Sequence, residues 1–200
     1  MKKKVFIYAI GFVIVTLVGF VGIKGYLFLN PSEQILGIKS PQAYKASKEM
    51  NQMLNGVNIS GFKTKDVLGE TVTSDIFSKY KITMIHVWAT DCKSCVEEMP
   101  EINKLSKNKP EDTNVITICT NTAWSDNAIE FAKQIVHENE SVKVLIPDKV
   151  LQKGLANKIV AYPTTIFVDS KGSMIGDVYL LGKTEADYLK ELNKRVKTVE

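Results

Sequence analysis

An α/β fold with a mixed central sheet, flanked by helices and preceded by an early hairpin, is predicted for residues 57–200 by three observations. Residues 82–90 (ITMIHVWAT) make a β-rich run that is apolar on both faces apart from His86, the pattern of a central strand. Residues 126–138 place Ile129, Ala132, Ile135 and Val136 on one face of a helix. Residues 165–169 end in the turn Ser170-Lys171-Gly172, and a second extended run at 174–179 follows to pair back on them.

The elements follow in order from the N-terminus. Residues 5–23 (VFIYAIGFVIVTLVGFVGI) carry no charge and, as a helix rising about 1.5 Å per residue, span roughly the 30 Å hydrocarbon core of a bilayer. Lys2, Lys3 and Lys4 precede the run and Tyr8 and Tyr26 sit near its ends, which puts the N-terminus in the cytoplasm and the body outside. A cleaved signal peptide is the alternative, but no small-residue cleavage site of the A-x-A kind follows. With no cysteine before position 92, a lipid-modified N-terminal cysteine is also excluded.

Ser40-Pro41 then offers an N-cap and first-turn pair, and Ala43, Ala46, Met50, Met53 and Leu54 recur at helical spacing as a stalk helix. Residues 58–62 and 70–73 flank a polar turn at Leu68-Gly69 and read as a short hairpin. After the central strand, residues 95–107 read as a helix interrupted by Pro100, residues 115–119 as a second buried strand, 142–146 as another, and 149–157 as a short helix. Thr184-x-x-Asp187 resembles a capping box ahead of a closing helix with Tyr188, Leu189 and Leu192 on its apolar face. The expected division is a cytoplasmic tail at 1–4, a transmembrane signal anchor at 5–29, an extracytoplasmic stalk at 30–56 and one α/β domain at 57–200.

Composition narrows the function classes. Four of the 26 basic residues lie before residue 25, where there is no acid, so the net charge of +4 belongs to the N-terminus and the body is neutral. A neutral body has no basic stripe to neutralise phosphates, and nucleic-acid binding is dropped. Three cysteines and two histidines allow at most one zinc site and no disulfide scaffold.

Cys92 and Cys95 form a C-x-x-C where a central strand gives way to a helix. Unpaired N–H groups and the helix dipole favour a thiolate there on the first cysteine, and Cys95, one turn into the helix, is placed to resolve the mixed disulfide that Cys92 forms. Zinc binding would need a second ligand pair, which His86, Cys119 and His137 do not supply at a recognisable spacing. Haem attachment requires a histidine directly after the second cysteine, where Val96 stands.

WATDCKSCVEEMP at 88–100, followed by YPTT at 162–165, resembles thioredoxin-fold proteins and, within them, the membrane-anchored extracytoplasmic TlpA/ResA-like thiol-disulfide oxidoreductases. The likeness covers residues 57–195, including the hairpin that holds FVDSKG. It implies a thioredoxin-like domain with an N-terminal hairpin extension behind one transmembrane helix. It also implies a cis bond before Pro163, a Tyr162 backbone that pairs with an extended substrate chain, and substrate contacts from Trp88, Tyr162, Pro163 and Thr164. Without the resemblance, a trans proline at a strand start and a core tryptophan fit equally well.

Glu98 falls where the subgroup carries an acid that protonates the cysteine pair; the alternative is a surface glutamate like Glu97. Two positions depart from the family. Asp91 replaces a usual tryptophan before the first cysteine, and its charge opposes thiolate formation. His86 stands where thioredoxins bury an aspartate, as an alternative proton partner for Cys95 or as a hydrogen-bonded core histidine. Cys119 reads as a buried inert thiol or a regulatory one.

The expectation is a membrane-embedded protein disulfide reductase with catalytic Cys92, Cys95 and Glu98 and no cofactor beyond the redox-active cysteine pair. Its implied partners are disulfide-containing envelope proteins, with apocytochromes c among the analogies, and a membrane thiol transporter of the CcdA or DsbD type as electron donor. The competing readings are a non-catalytic metal or haem chaperone and an envelope disulfide oxidase.

Overall fold

The central strand β3 (Ile82–Trp88) is buried at all seven positions, and so is its parallel neighbour β4 (Thr113–Cys119). The structure, a computed structural model, describes residues 41–198. The tail at 1–4, the expected anchor at 5–29 and the first part of the 30–56 segment lie outside the described residues. Among the described residues no helix is long and apolar enough to cross a membrane.

The remaining strands and α-helices among the described residues are α1 (Pro41–Leu54), the hairpin β1 (Lys63–Lys65) and β2 (Thr71–Thr73), α2 (Lys93–Asn108), α3 (Asp126–Glu138), β5 (Val144–Leu145), α4 (Lys149–Gly154), β6 (Thr164–Asp169), β7 (Tyr179–Leu180) and α5 (Glu185–Val196), with short 3-10 turns at Ser74–Lys79, Thr120–Ala123 and Ala156–Lys158. The main sheet runs β5-β4-β3-β6-β7; β5, β4 and β3 are parallel, and β6 and β7 join antiparallel. This is the thioredoxin-like mixed sheet that the resemblance implied.

Because side chains alternate along a strand, β3 feeds two layers. Ile85 and Val87 join Ile116, Ile118, Ile166 and Val168 in a core closed by Met50 and Leu54 of α1 and by Phe62 and Phe77. His86, between them, is directed to the other face, where α2 and α5 supply Glu98 and Tyr188.

Four expectations shift. The helix read as a stalk puts Met50 and Leu54 fully into the core, and a compact unit begins at Lys45, so the boundary drawn at 57 cuts through packed structure. The first hairpin strand lies at β1 rather than at 58–62, because Asn58 donates to Lys171 O (2.9 Å) and Ser173 Oγ (2.8 Å) and ties that stretch to the 170–173 turn. The strand expected at 142–146 contracts to β5. The return strand expected at 174–179 contracts to a single bridge, Val168 to Met174, followed by β7. Gly176 breaks it with φ +64°, and Arg195 binds the carbonyls of Ile175 (2.5 Å) and Asp177 (3.1 Å) on either side. The helix at 126–138 is found at those bounds, with Ala128 buried on its inner face and Ile129 only half-buried. The capping box forms, with Thr184 and Asp187 bonding each other's backbone N–H.

Candidate active site

Strand β3 ends at Trp88, and a turn closed by Cys92 N–H to Ala89 O (3.1 Å) leads into α2. Cys92 is the N-cap of that helix: its sulfur accepts the Cys95 N–H at 3.3 Å, while its carbonyl takes the N–H groups of Cys95 and Val96. The sequence folds this way because an apolar strand must stop where Thr90-Asp91 turns polar. The sulfur at the cap shares the Cys95 N–H with the Cys92 carbonyl, as side chains at helix N-termini do for the first-turn amides. That amide and the helix dipole favour negative charge on Cys92.

Cys92 and Cys95 are joined as a disulfide. Cys92 is half-exposed and Cys95 is fully buried, so an incoming sulfur meets Cys92. Asp91 is exposed beside it, and Ser94 Oγ lies 3.5 Å from the Cys92 sulfur. The loop is clamped from β4's end by Asn121. Its Oδ1 accepts from Thr90 N–H (3.2 Å) and from the Cys119 thiol (3.2 Å), and its amide donates to Thr90 Oγ1 (2.8 Å). Cys119 is buried, and burial pushes its thiol up to about 12, so it stays protonated at neutral pH.

One turn after Cys95, Glu98 is buried, whereas Glu97 is exposed and lies 3.7 Å from Lys93; the two adjacent glutamates are not alike. Glu98 Oε1 accepts from Lys183 N–H (2.8 Å) and from the Tyr188 hydroxyl (2.7 Å). Its Oε2 lies 3.8 Å from His86 Nε2, and neither atom has a hydrogen bond. His86 Nδ1 meets Thr165 Oγ1 at 3.0 Å, and that hydroxyl meets Tyr188 at 3.1 Å. Burial holds the His86 imidazole below its ordinary range, opposed in part by the Glu98 charge, and burial raises the Tyr188 phenol well above its own. A Cβ on Gly182 would sit 3.2 Å from Glu98 Oε2, so a residue without a side chain suits the loop that passes the carboxyl.

Tyr162-Pro163 is cis, and the Tyr162 hydroxyl bonds Thr120 Oγ1 at 2.8 Å. Two expected substrate contacts are corrected. Trp88 is fully buried and donates its indole N–H to Thr117 Oγ1 (3.2 Å), so it packs the core instead of lining the surface. Thr164 is fully buried, paired in register with both Val87 and Leu180, and its hydroxyl donates to Ala161 O (2.7 Å). Pro163 is also buried, and its carbonyl takes Leu181 N–H, whereas Tyr162 is half-buried.

Sequence reading missed Thr165, Asn121 and the polar use of Tyr188. A tyrosine on an apolar helix face needs a partner for its hydroxyl, which is the one available signal, but that partner lies 90 residues away in the chain. Among the described residues no group of three or more His, Cys, Asp or Glu is gathered as a metal-ligand set.

A cysteine pair at the cap of the helix that follows the central strand, on a thioredoxin-like sheet whose β6 starts after a cis proline, defines a thioredoxin-fold thiol-disulfide oxidoreductase. The Redoxin family matches residues 42–192, and the chain belongs to that family. It is 25% identical over 185 residues to the thioredoxin-like protein YneN of Bacillus subtilis strain 168, covering 92% of this chain and 95% of that one. It is 23% identical over 130 residues to the sporulation thiol-disulfide oxidoreductase A of the same organism, covering 65% of this chain and 76% of the relative. The fold matches the pneumococcal exposed lipoprotein thioredoxin Etrx1 of Streptococcus pneumoniae strain TIGR4 with a TM-score of 0.55 at 20% identity, over 66% of this chain and 98% of that one.

Proposed function

We propose that the chain is a membrane-anchored extracytoplasmic reductase that passes electrons from a membrane thiol transporter of the CcdA or DsbD type to disulfides in envelope proteins, apocytochromes c being one such client class. The carrying observation is the asymmetry of the cysteine pair, with Cys92 reachable at a helix N-terminus and Cys95 buried behind it. The apolar run at 5–23 behind three lysines supports the anchor and its orientation.

In the reduced protein the Cys92 thiolate attacks one sulfur of a client disulfide. A Cys92–client bond forms, and the client's own disulfide breaks to release a thiolate that takes up a proton. Cys95, deprotonated with Glu98 as proton acceptor and His86 as the alternative, then attacks Cys92. The Cys92–Cys95 disulfide forms and the second client thiol leaves. The client gains two electrons and the protein loses two, which a donor dithiol restores.

The reduction potential of the pair in the full-length chain tests the direction. The reductase reading expects a value more negative than about −200 mV, and one near about −120 mV, where DsbA sits, would make the protein an oxidase. In a Cys95→Ser variant, mixed disulfides with clients should collect on Cys92; trapping that needs Cys95 instead would reverse the roles. Protease added to intact spheroplasts should digest the domain, and a protected domain would reverse the topology.

A further inference from the structure

Four buried side chains from four elements close a ring: His86 of β3, Thr165 of β6, Tyr188 of α5 and Glu98 of α2. Three of its sides are hydrogen bonds of 3.0, 3.1 and 2.7 Å, and the fourth is the 3.8 Å gap between His86 Nε2 and Glu98 Oε2, the two ring atoms without a partner.

The direction of each bond follows from donor arithmetic. The Lys183 backbone N–H can only donate, and at 2.8 Å it makes Glu98 Oε1 an acceptor. The second bond to Oε1 then comes from the Tyr188 O–H. With its proton committed, the Tyr188 oxygen accepts from the Thr165 O–H. With its own proton committed, the Thr165 oxygen accepts from His86, which must carry a hydrogen on Nδ1. In the neutral imidazole the other nitrogen is then bare.

We infer that Tyr188 and Thr165 are positioning residues that hold neutral His86 as its Nδ1–H tautomer, so that the Nε2 lone pair faces Glu98 and the gap between them accepts one proton. Two bare acceptors facing each other in a dry interior repel, and one proton between them turns the repulsion into a hydrogen bond. Oε1 already holds two donors, so the carboxyl can take that proton only on Oε2. The gap between His86 Nε2 and Glu98 Oε2 is therefore one proton site shared by the two side chains.

The groups that surround the pair fit this reading. Cys95 precedes Glu98 by one turn on α2, and Thr117 of β4, beside His86 in register, is occupied by the Trp88 indole. On α5 the Asp187 charge acts on Tyr188 in the same direction as Glu98, and the 181–184 loop contributes Gly182 and the Lys183 N–H. His86's desolvation keeps its imidazole neutral and ready to accept.

The use of this device rests on the proposed exchange function, although the tautomer does not. When Cys95 attacks Cys92 of the mixed disulfide, the Cys92–Cys95 bond forms and the Cys92–client bond breaks, releasing the client sulfur as a thiolate. The thiol proton of Cys95 passes to the gap and leaves again to the departing client thiolate.

The test uses the full-length chain labelled with 15N-histidine, which contains two histidines, the second being the exposed His137. Long-range 1H–15N spectra of the oxidised protein at high pH should show neutral His86 protonated at Nδ1. In Thr165→Val, Nδ1 loses its acceptor, the proton should move to Nε2, and the acidic limb of the mixed-disulfide resolution rate should move to lower pH because the gap then already holds a donor. Thr165→Ser keeps the hydroxyl and should retain the wild-type spectrum, which separates this effect from general damage at the site. Wild-type His86 protonated at Nε2, or a Thr165→Val spectrum unchanged from wild type, overturns the inference. If the tautomer inverts in Thr165→Val while Glu98→Gln leaves the rate profile untouched, the tautomer assignment stands and the proton-acceptor reading of Glu98 falls.

Discussion

Tyr188 donates its hydroxyl to Glu98 Oε1 across 2.7 Å and so joins the closing helix to the helix that carries both cysteines. Removing that donor leaves a buried carboxyl with the Lys183 N–H on the same oxygen and nothing to replace the phenol. Tyr188→Phe should therefore cost about 1–3 kcal/mol of stability, the usual range for a buried polar partner left unpaired. Urea unfolding of the oxidised protein measures it, and a loss below the scatter of repeat curves would mean that water takes the place of the hydroxyl.

The cysteine pair was legible because its chemistry is local: a strand ends, a helix begins and the motif lies between them. The cis bond before Pro163 followed from resemblance, and composition alone left it open. The two-residue strands β5 and β7 were placed only loosely, since so few residues cannot carry a period-2 pattern. Glu98's burial was undecidable from sequence. Glu97 and Glu98 are chemically identical neighbours, and what separates them is Tyr188 and Lys183, distant in the chain, arriving on one face of α2.

His86 gives the domain a pH-dependent stability. Burial lowers its folded-state pKa below the unfolded value of about 6.5, so the unfolded chain binds the proton more readily and stability rises with pH. The contribution is fully present above about pH 6.5 and is lost as pH falls toward the folded value. Denaturant midpoints taken from pH 8 down to 5 should fall for wild type and fall less for His86→Asn. Parallel declines would assign the acid sensitivity to other groups.

Cys119 should be chemically silent in the folded protein. It is buried, its thiol is bound to Asn121, and it is pushed up to about 12, so almost no thiolate exists at pH 8. Iodoacetamide at pH 8 should leave the oxidised chain unmodified by mass and add one carbamidomethyl group once denaturant is present. Labelling of the folded protein would show that the end of β4 opens and would restore a regulatory role for this cysteine.

Gly176 and Arg195 form a structural pair whose energetics can be separated. Gly176 has φ +64°, and a Cβ there would lie 2.1 Å from Arg195 Nη1. That guanidinium is held by Ile175 O and Asp177 O, lies 2.7 Å by Nε from Glu191, and sits 4.1 Å over the Phe167 ring. Gly176→Ala should cost about 1–2 kcal/mol for the left-handed backbone alone, and more for displacing the arginine. The double variant with Arg195→Ala should lose less than the sum of the two single losses, because the collision disappears once the guanidinium is gone and the loss of the arginine's contacts is otherwise counted twice. Simple additivity would mean that Arg195 moves aside without cost.

Glu98→Gln is the most direct probe of the proposed chemistry. The buried Cys95 thiol must lose a proton before it can attack Cys92, and in an apolar setting that step is slow unless a base stands near. Glu98 lies one turn further along the buried face of α2, with Oε2 free of hydrogen bonds, whereas Glu97 points to solvent beside Lys93. An amide at 98 keeps the shape and the Tyr188 and Lys183 contacts through its oxygen but cannot take the proton. The resolution rate of a preformed Cys92 mixed disulfide, followed by stopped flow from pH 5 to 9, should fall on the order of 100-fold near neutrality in Glu98→Gln, with the profile shifting toward that of an unassisted thiol. Glu97→Gln should follow wild type. His86→Asn removes only the far wall of the gap and should change the profile less than Glu98→Gln. If the two rank the other way, the imidazole, which has the better ordinary pKa for exchange near neutrality, is the proton acceptor and Glu98 its support.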